Sequence, residues 1–333
     1  MSTETLKSVI TKISAHGKGI LAADESTPTI TKRFKSIDLD CNEQNRQAYR
    51  ELLFTTPNLG QYISGVILFE ETLHQQSQNQ VPFVEILSQQ GIVPGIKVDK
   101  GLIPLINSSD EQVTQGLDGL PERLAKYKDA GAQFAKWRAI FKISPQTPSQ
   151  LLTLTNANNL ARYAAICQSL DIVPIVEPEI LIDGEHDIET CAHITENVLN
   201  AVFDALTFNK VQLEFIILKP SMILPGNTCA TKAKPNEIAQ ATIDVFRRTV
   251  PAAVPSINFL SGGQTPNEAT INLNAINQLQ PQPWNLSFSY GRALQEPVLN
   301  TWHGKQDNIQ KAQAALIEVA KSNTEASLGR FGK

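Results

Sequence analysis

Residues 156–179 read NANNLARYAAICQSLDIVPIVEPE and contain two periodicities in succession. Leu160, Tyr163, Ala164 and Cys167 recur at helical spacing, so residues 156–168 form an amphipathic helix with one face turned to a core. Val173–Glu177 is then apolar almost throughout, the pattern of a parallel strand covered on both faces. The run ends on two carboxylates, Glu177 and Glu179, which are two residues apart and so share a strand face.

The same alternation runs along the whole chain. Short apolar, β-branched runs at Gly19–Ala23, Gly65–Phe69, Val93–Val98, Gln133–Ile140, Val173–Glu177, Phe215–Lys219, Ile257–Leu260 and Leu286–Tyr290 are expected strands. Helices are expected near 43–54, 83–89, 121–130, 156–168, 189–206, 235–249, 266–278 and 307–321. Eight βα units without a composition shift or linker predict one closed (β/α)8 TIM barrel, residues 1–333 forming a single domain with an extra N-terminal helix. A doubly wound open sheet is the competitor, but no GxGxxG opens a helix after the first strand.

Bulk composition narrows the function. With 333 residues, 41% hydrophobic, the chain can bury a large core. A net charge of -4 disfavours nucleic acid or an anionic membrane as the main partner. Cys41, Cys167, Cys191 and Cys229 are scattered without a CxxC pair, as in a reducing compartment. The N-terminal residues lack a signal-peptide apolar run, and no apolar stretch is long enough to span a bilayer. A cytoplasmic protein is expected.

The strand ends carry the chemistry. Asp24 and Glu25 follow the first run, Lys97 and Asp99 close the third, Lys136 and Arg138 lie in the fourth, and Lys219 ends the sixth. In a barrel such side chains converge at the C-terminal face. Lys97, Lys136 and Lys219 would then share a partly dry cavity with Asp24, Glu177 and Glu179. Burial or neighbouring cations disfavour an ammonium and make a lysine nucleophilic, while carboxylates move protons. Lys219 stands out because it follows Phe215-Ile-Ile-Leu218 and precedes Pro220.

Two glycine-bearing segments follow the last strands: Leu260-Ser261-Gly262-Gly263 and Ser289-Tyr-Gly291-Arg292. Their backbone N–H groups can approach a phosphate, with Arg292 adding a bidentate grip. Lys32, Arg33, Lys97 and Arg138, with Ser26 and Thr29 nearby in sequence, form a second basic set for another phosphate. The five histidines lack HxH or HExxH spacing, and His186, Cys191 and His193 read as structural, so no metal site and no cofactor are expected.

The segments GILAADEST (19–27), GVILFEETL (65–73), GIKVDKG (95–101), IVPIVEPEIL (172–181), ILKPSMILPG (217–226), FLSGGQ (259–264) and FSYGRALQ (288–295) resemble class I fructose-bisphosphate aldolase, in order and over nearly the whole chain. The resemblance implies that Lys219 attacks the C2 ketone, Glu177 is acid and base for the Schiff-base steps, and Asp24 takes the C4 hydroxyl proton. Lys136 would assist the carbinolamine steps and hold charge, and Glu179 support the lysines. Ser261, Gly262 and Arg292 would hold the C1 phosphate; Ser26, Thr29, Arg33, Lys97 and Arg138 would face the other. Thr29 replaces a serine common in the family and keeps the hydroxyl.

The resemblance also implies phosphorylated ketose and triose substrates and a homotetramer. Animal and plant members continue into a tail ending in tyrosine, whereas here the sequence stops at Gly329-Arg-Phe-Gly-Lys333. On that comparison the tail phenol is expected to be absent, so that either another group such as Glu177 takes over protonation at C3 or, the favoured expectation, that step is slow. Two alternatives are another Schiff-base barrel, such as a transaldolase or deoxyribose-phosphate aldolase, and a non-catalytic barrel. The order of the motifs and the joint presence of Lys219, Asp24, Glu177 and Lys136 disfavour both.

Overall fold

The computed structural model describes residues 3–108 and 110–332; Met1, Ser2, Ser109 and Lys333 lie outside the described residues. Eight parallel strands close into a barrel in sequential order. They are Gly19–Ala23, Ile63–Leu68, Val93–Lys97, Phe134–Phe141, Val173–Ile180, Ile217–Leu218, Ser256–Phe259 and Asn285–Tyr290, the first to eighth barrel strands below. The eight expected strands are all present.

Alternation sorts the side chains into two clusters. Outward residues such as Leu21, Val66, Ile96, Trp137, Val176 and Phe259 pack under the helices. Inward Ile20, Ile67, Val93, Phe134, Val173, Ile175 and Ile217 form a separate cluster with Leu6, Val9, Ile10 and Ile13 of the N-terminal helix Thr3–Ile13. That helix therefore caps the lower end of the barrel. The Phe134 ring crosses the interior where Gly95 has no side chain: a Cβ on Gly95 would stand 2.3 Å from the ring. Charged inward residues are thus confined to the opposite, C-terminal ends of the strands.

The structure departs from the sequence expectation chiefly in three places. The sixth strand is only Ile217–Leu218, because Leu213–Phe215 turns as a 3-10 helix. Lys219 still continues the pairing, its N–H donating to the Val176 carbonyl at 2.8 Å. The helices Thr27–Lys35 and Arg292–Trp302 were not expected. The first buries only Ile30 and Phe34, too few apolar residues for a clear period, and the second carries Pro297 inside it. Finally, Leu102–Pro104 and Gln112–Thr114 form a small antiparallel hairpin beyond the third strand.

Candidate active site

At the C-terminal end of the barrel, Lys136 is the centre of a buried chain of charges. Its Nζ is 2.9 Å from Asp24 Oδ2 and 3.0 Å from Glu177 Oε2. Glu177 Oε1 is 3.3 Å from Lys219 Nζ. The side chains of Lys136, Glu177 and Lys219 are all within 5% of full burial. The barrel register explains the convergence. Lys97 pairs with Lys136, Arg138 with Glu177, and Ile175 with Ile217, so alternate inward positions rise together to one level.

The electrostatics follow from that packing. Burial would raise the Asp24 carboxyl, but the positive charges of Lys136 and Lys219 outweigh it and hold the group well below the usual carboxylate range. For Lys136 burial opposes the ammonium, yet Asp24, Glu177 and Asp99 push its pKa well above the ordinary lysine value. Crowding by cations, which would weaken an ammonium, is outweighed at Lys136. Three carboxylates dominate its surroundings, so it is a fixed cation.

The flanking charges pair as neighbours. Lys97 Nζ lies 2.8 Å from Asp99 Oδ1, and Arg138 pairs with Glu179. Ser26 Oγ and Thr29 Oγ1 are 3.2 Å apart at the start of helix Thr27–Lys35. Arg33 pairs with Glu25, and its guanidinium approaches Gly291. Arg33 and Arg292 line one cavity of about 380 Å³ with Lys32 and Glu296.

The loop after the seventh strand sits tightly against the fifth. A Cβ on Gly262 would come within 3.0 Å of Glu179 Oε1, and Gly263, at φ +76°, would press one onto Ile182 at 2.2 Å. Only glycine allows that path. Ser261 is buried beside it, and Arg292 donates from Nη2 to the Gln264 carbonyl at 3.1 Å, joining the two glycine-bearing loops. Ser289 Oγ is buried without a hydrogen-bond partner, a hydroxyl left free at the barrel mouth. Among the described residues, no group of three His, Cys, Asp or Glu side chains is arranged to hold a metal ion.

Sequence reasoning missed Arg50 and Gln295, which surround Glu25. Arg50 had a signal, since it falls between Tyr49 and Leu53 on the buried side of helix Glu43–Phe54. Gln295 had none, because its helix was not expected.

The profile of the family described as fructose-bisphosphate aldolase class-I matches residues 5–333. The chain belongs to the class I fructose-bisphosphate aldolase family. It is 57% identical to the cytosolic fructose-bisphosphate aldolase 4 of Arabidopsis thaliana, over 96% of this chain and 81% of that one. Fructose-bisphosphate aldolase 2 of Caenorhabditis elegans is 55% identical over 98% and 90%. Among solved structures, the Plasmodium falciparum aldolase in complex with TRAP and a small-molecule inhibitor is 51% identical. It superposes with a TM-score of 0.98, covering 99% of this chain and 96% of that one. The chain is accordingly an aldehyde-lyase that cleaves fructose 1,6-bisphosphate reversibly to dihydroxyacetone phosphate and glyceraldehyde 3-phosphate through a Schiff base, as its family does.

Proposed function

We propose that Lys219 is the Schiff-base lysine of this aldolase. The observation that carries the reading is the unbroken buried contact Lys219–Glu177–Lys136–Asp24. Lys219, as the amine, attacks the C2 ketone. Glu177, one contact away, moves the protons that turn the carbinolamine into the imine and release water. Asp24, ionised throughout the working range, takes the C4 hydroxyl proton. As the C3–C4 bond breaks, its electron pair flows towards the protonated imine, glyceraldehyde 3-phosphate leaves as the aldehyde, and an enamine remains on Lys219. Protonation at C3 and hydrolysis release dihydroxyacetone phosphate. Lys136 keeps Asp24 charged and lies against Glu177, and Glu179 holds Arg138 in place.

Ser261, Gly262, Gly263, Ser289, Gly291 and Arg292 are assigned to the C1 phosphate. Ser26, Thr29, Lys97 and Arg138 are assigned to the other, with Arg33 beside the first set. We also read the chain as one barrel domain working in the cytoplasm as a homotetramer. Support for the compartment comes from the relatives named cytosolic or cytoplasmic. Support for assembly comes from exposed Ile103 and Ile106 of the 102–114 hairpin region and Leu151 and Leu154 of the adjoining helix Gln150–Ser169.

Borohydride added with dihydroxyacetone phosphate should inactivate the enzyme by reducing the imine, and peptide mapping should find the adduct on Lys219. An adduct on Lys97 or Lys136 overturns the assignment. Activity that disappears with EDTA and returns with zinc overturns the Schiff-base reading itself.

A further inference from the structure

Glu25, between Asp24 and Ser26 in sequence, is buried and takes no part in the steps above. Its Oε2 accepts from Arg50 Nη2 at 2.7 Å, and its Oε1 accepts from Gln295 Nε2 at 2.7 Å and pairs with Arg33. Burial would raise this carboxyl, but Arg50 and Arg33 overcome that and lower it. Gln295, fully buried, also donates from Nε2 to the Ala22 carbonyl at 2.7 Å. One carboxylate and one amide therefore join the end of the first strand to helices Thr27–Lys35, Glu43–Phe54 and Arg292–Trp302.

The placement matters because Gln295 lies in the first turn of the helix that opens with Arg292. The Gln295 N–H donates to the Gly291 carbonyl at 3.0 Å, and a Cβ on Gly291 would stand 3.3 Å from the Ala22 carbonyl. Ala22 is two residues before Asp24 on the same strand face. The Gln295 side chain thus spans from the phosphate-binding backbone to the strand that carries the proton acceptor. A sugar whose phosphate is held at Arg292 must present its C4 hydroxyl to Asp24, and the spacing between those protein groups is set here.

We propose that Glu25 and Gln295 are positioning residues that fix Arg292 and its helix relative to Asp24, so that phosphate binding aligns the scissile bond. The inference rests on Arg292 holding a substrate phosphate. Gln295→Met keeps the volume and removes its donations to Ala22 and Glu25 together with the bond it accepts from Arg50 Nη1 at 3.5 Å. It should raise KM for fructose 1,6-bisphosphate about tenfold, the worth of one well-placed hydrogen bond. The inhibition constant of inorganic phosphate should rise by the same factor, with kcat within about threefold of wild type. A purely structural role would lower Tm and leave KM and phosphate inhibition unchanged; that result, or no change in any of them, overturns the proposal. Glu25→Gln, which keeps an oxygen facing Arg50, gives the same readout if Gln295→Met does not fold. Arg292→Ala separates the two levels. If it leaves KM unchanged, the phosphate assignment itself fails. If it raises KM while Gln295→Met does not, only the positioning role fails.

Discussion

Replacing Lys136 by methionine removes one charge and little volume, and its consequences follow from the geometry. Asp24 at 2.9 Å and Glu177 at 3.0 Å would lose their shared cation while remaining buried. Deleting one partner of a buried ion pair costs about 3–5 kcal/mol, because the remaining charge is left uncompensated. If that cost falls on C4 deprotonation by Asp24 and on the proton transfers through Glu177, kcat drops by roughly two to three and a half decades, at about 1.4 kcal/mol per decade.

The pH dependence is equally definite. In the native enzyme the Asp24 pKa is depressed, so its stabilising contribution is full above the ordinary value near 4 and fades only as pH falls through the depressed one. The Lys136 pKa is raised, so its contribution is full below the ordinary value near 10.5 and fades as pH rises beyond it. Between about pH 5 and pH 9 neither group titrates. In Lys136→Met the burial of Asp24 persists without its nearest cation, and an acid limb in kcat should appear inside that window. Cleavage assays from pH 5 to 9, with borohydride trapping to report imine formation, measure both effects. A kcat within tenfold of wild type and flat across the window would refute the reasoning.

Three further outcomes are expected. Arg292→Ala should lower kcat/KM by about one to two decades, since a charge-assisted contact to phosphate contributes roughly 1.5–3 kcal/mol; steady-state kinetics with fructose 1,6-bisphosphate checks it. Gly95→Ala should destabilise the fold by about 1–3 kcal/mol through overpacking against the Phe134 ring, read as a lower urea midpoint at unchanged slope. Leu6→Ala in the helix that caps the barrel floor should cost about 2–5 kcal/mol of stability but leave kcat near wild type, because Leu6 packs at the end opposite the site.

The sequence by itself determined the number of barrel strands, the inward and outward faces, and which charges stand at the C-terminal ends. Those follow from a two-residue period and an eightfold alternation, both local properties of the chain. The apolar run ahead of Lys219 likewise marked it as buried before any contact was known. Only the tertiary structure decided how the charges pair. Lys136 is close in sequence to neither Asp24 nor Glu177, and it became a fixed cation because three strands brought more carboxylates than cations around it. Arg33 was grouped with Lys97 and Arg138 by charge and by resemblance, and its contacts with Glu25 and Gly291 became visible only in the fold. The same holds for Glu25 and Gln295, some 270 residues apart and bonded at 2.7 Å. Electrostatic partnership depends on distance in space and on exclusion of water, and closure of the barrel sets both.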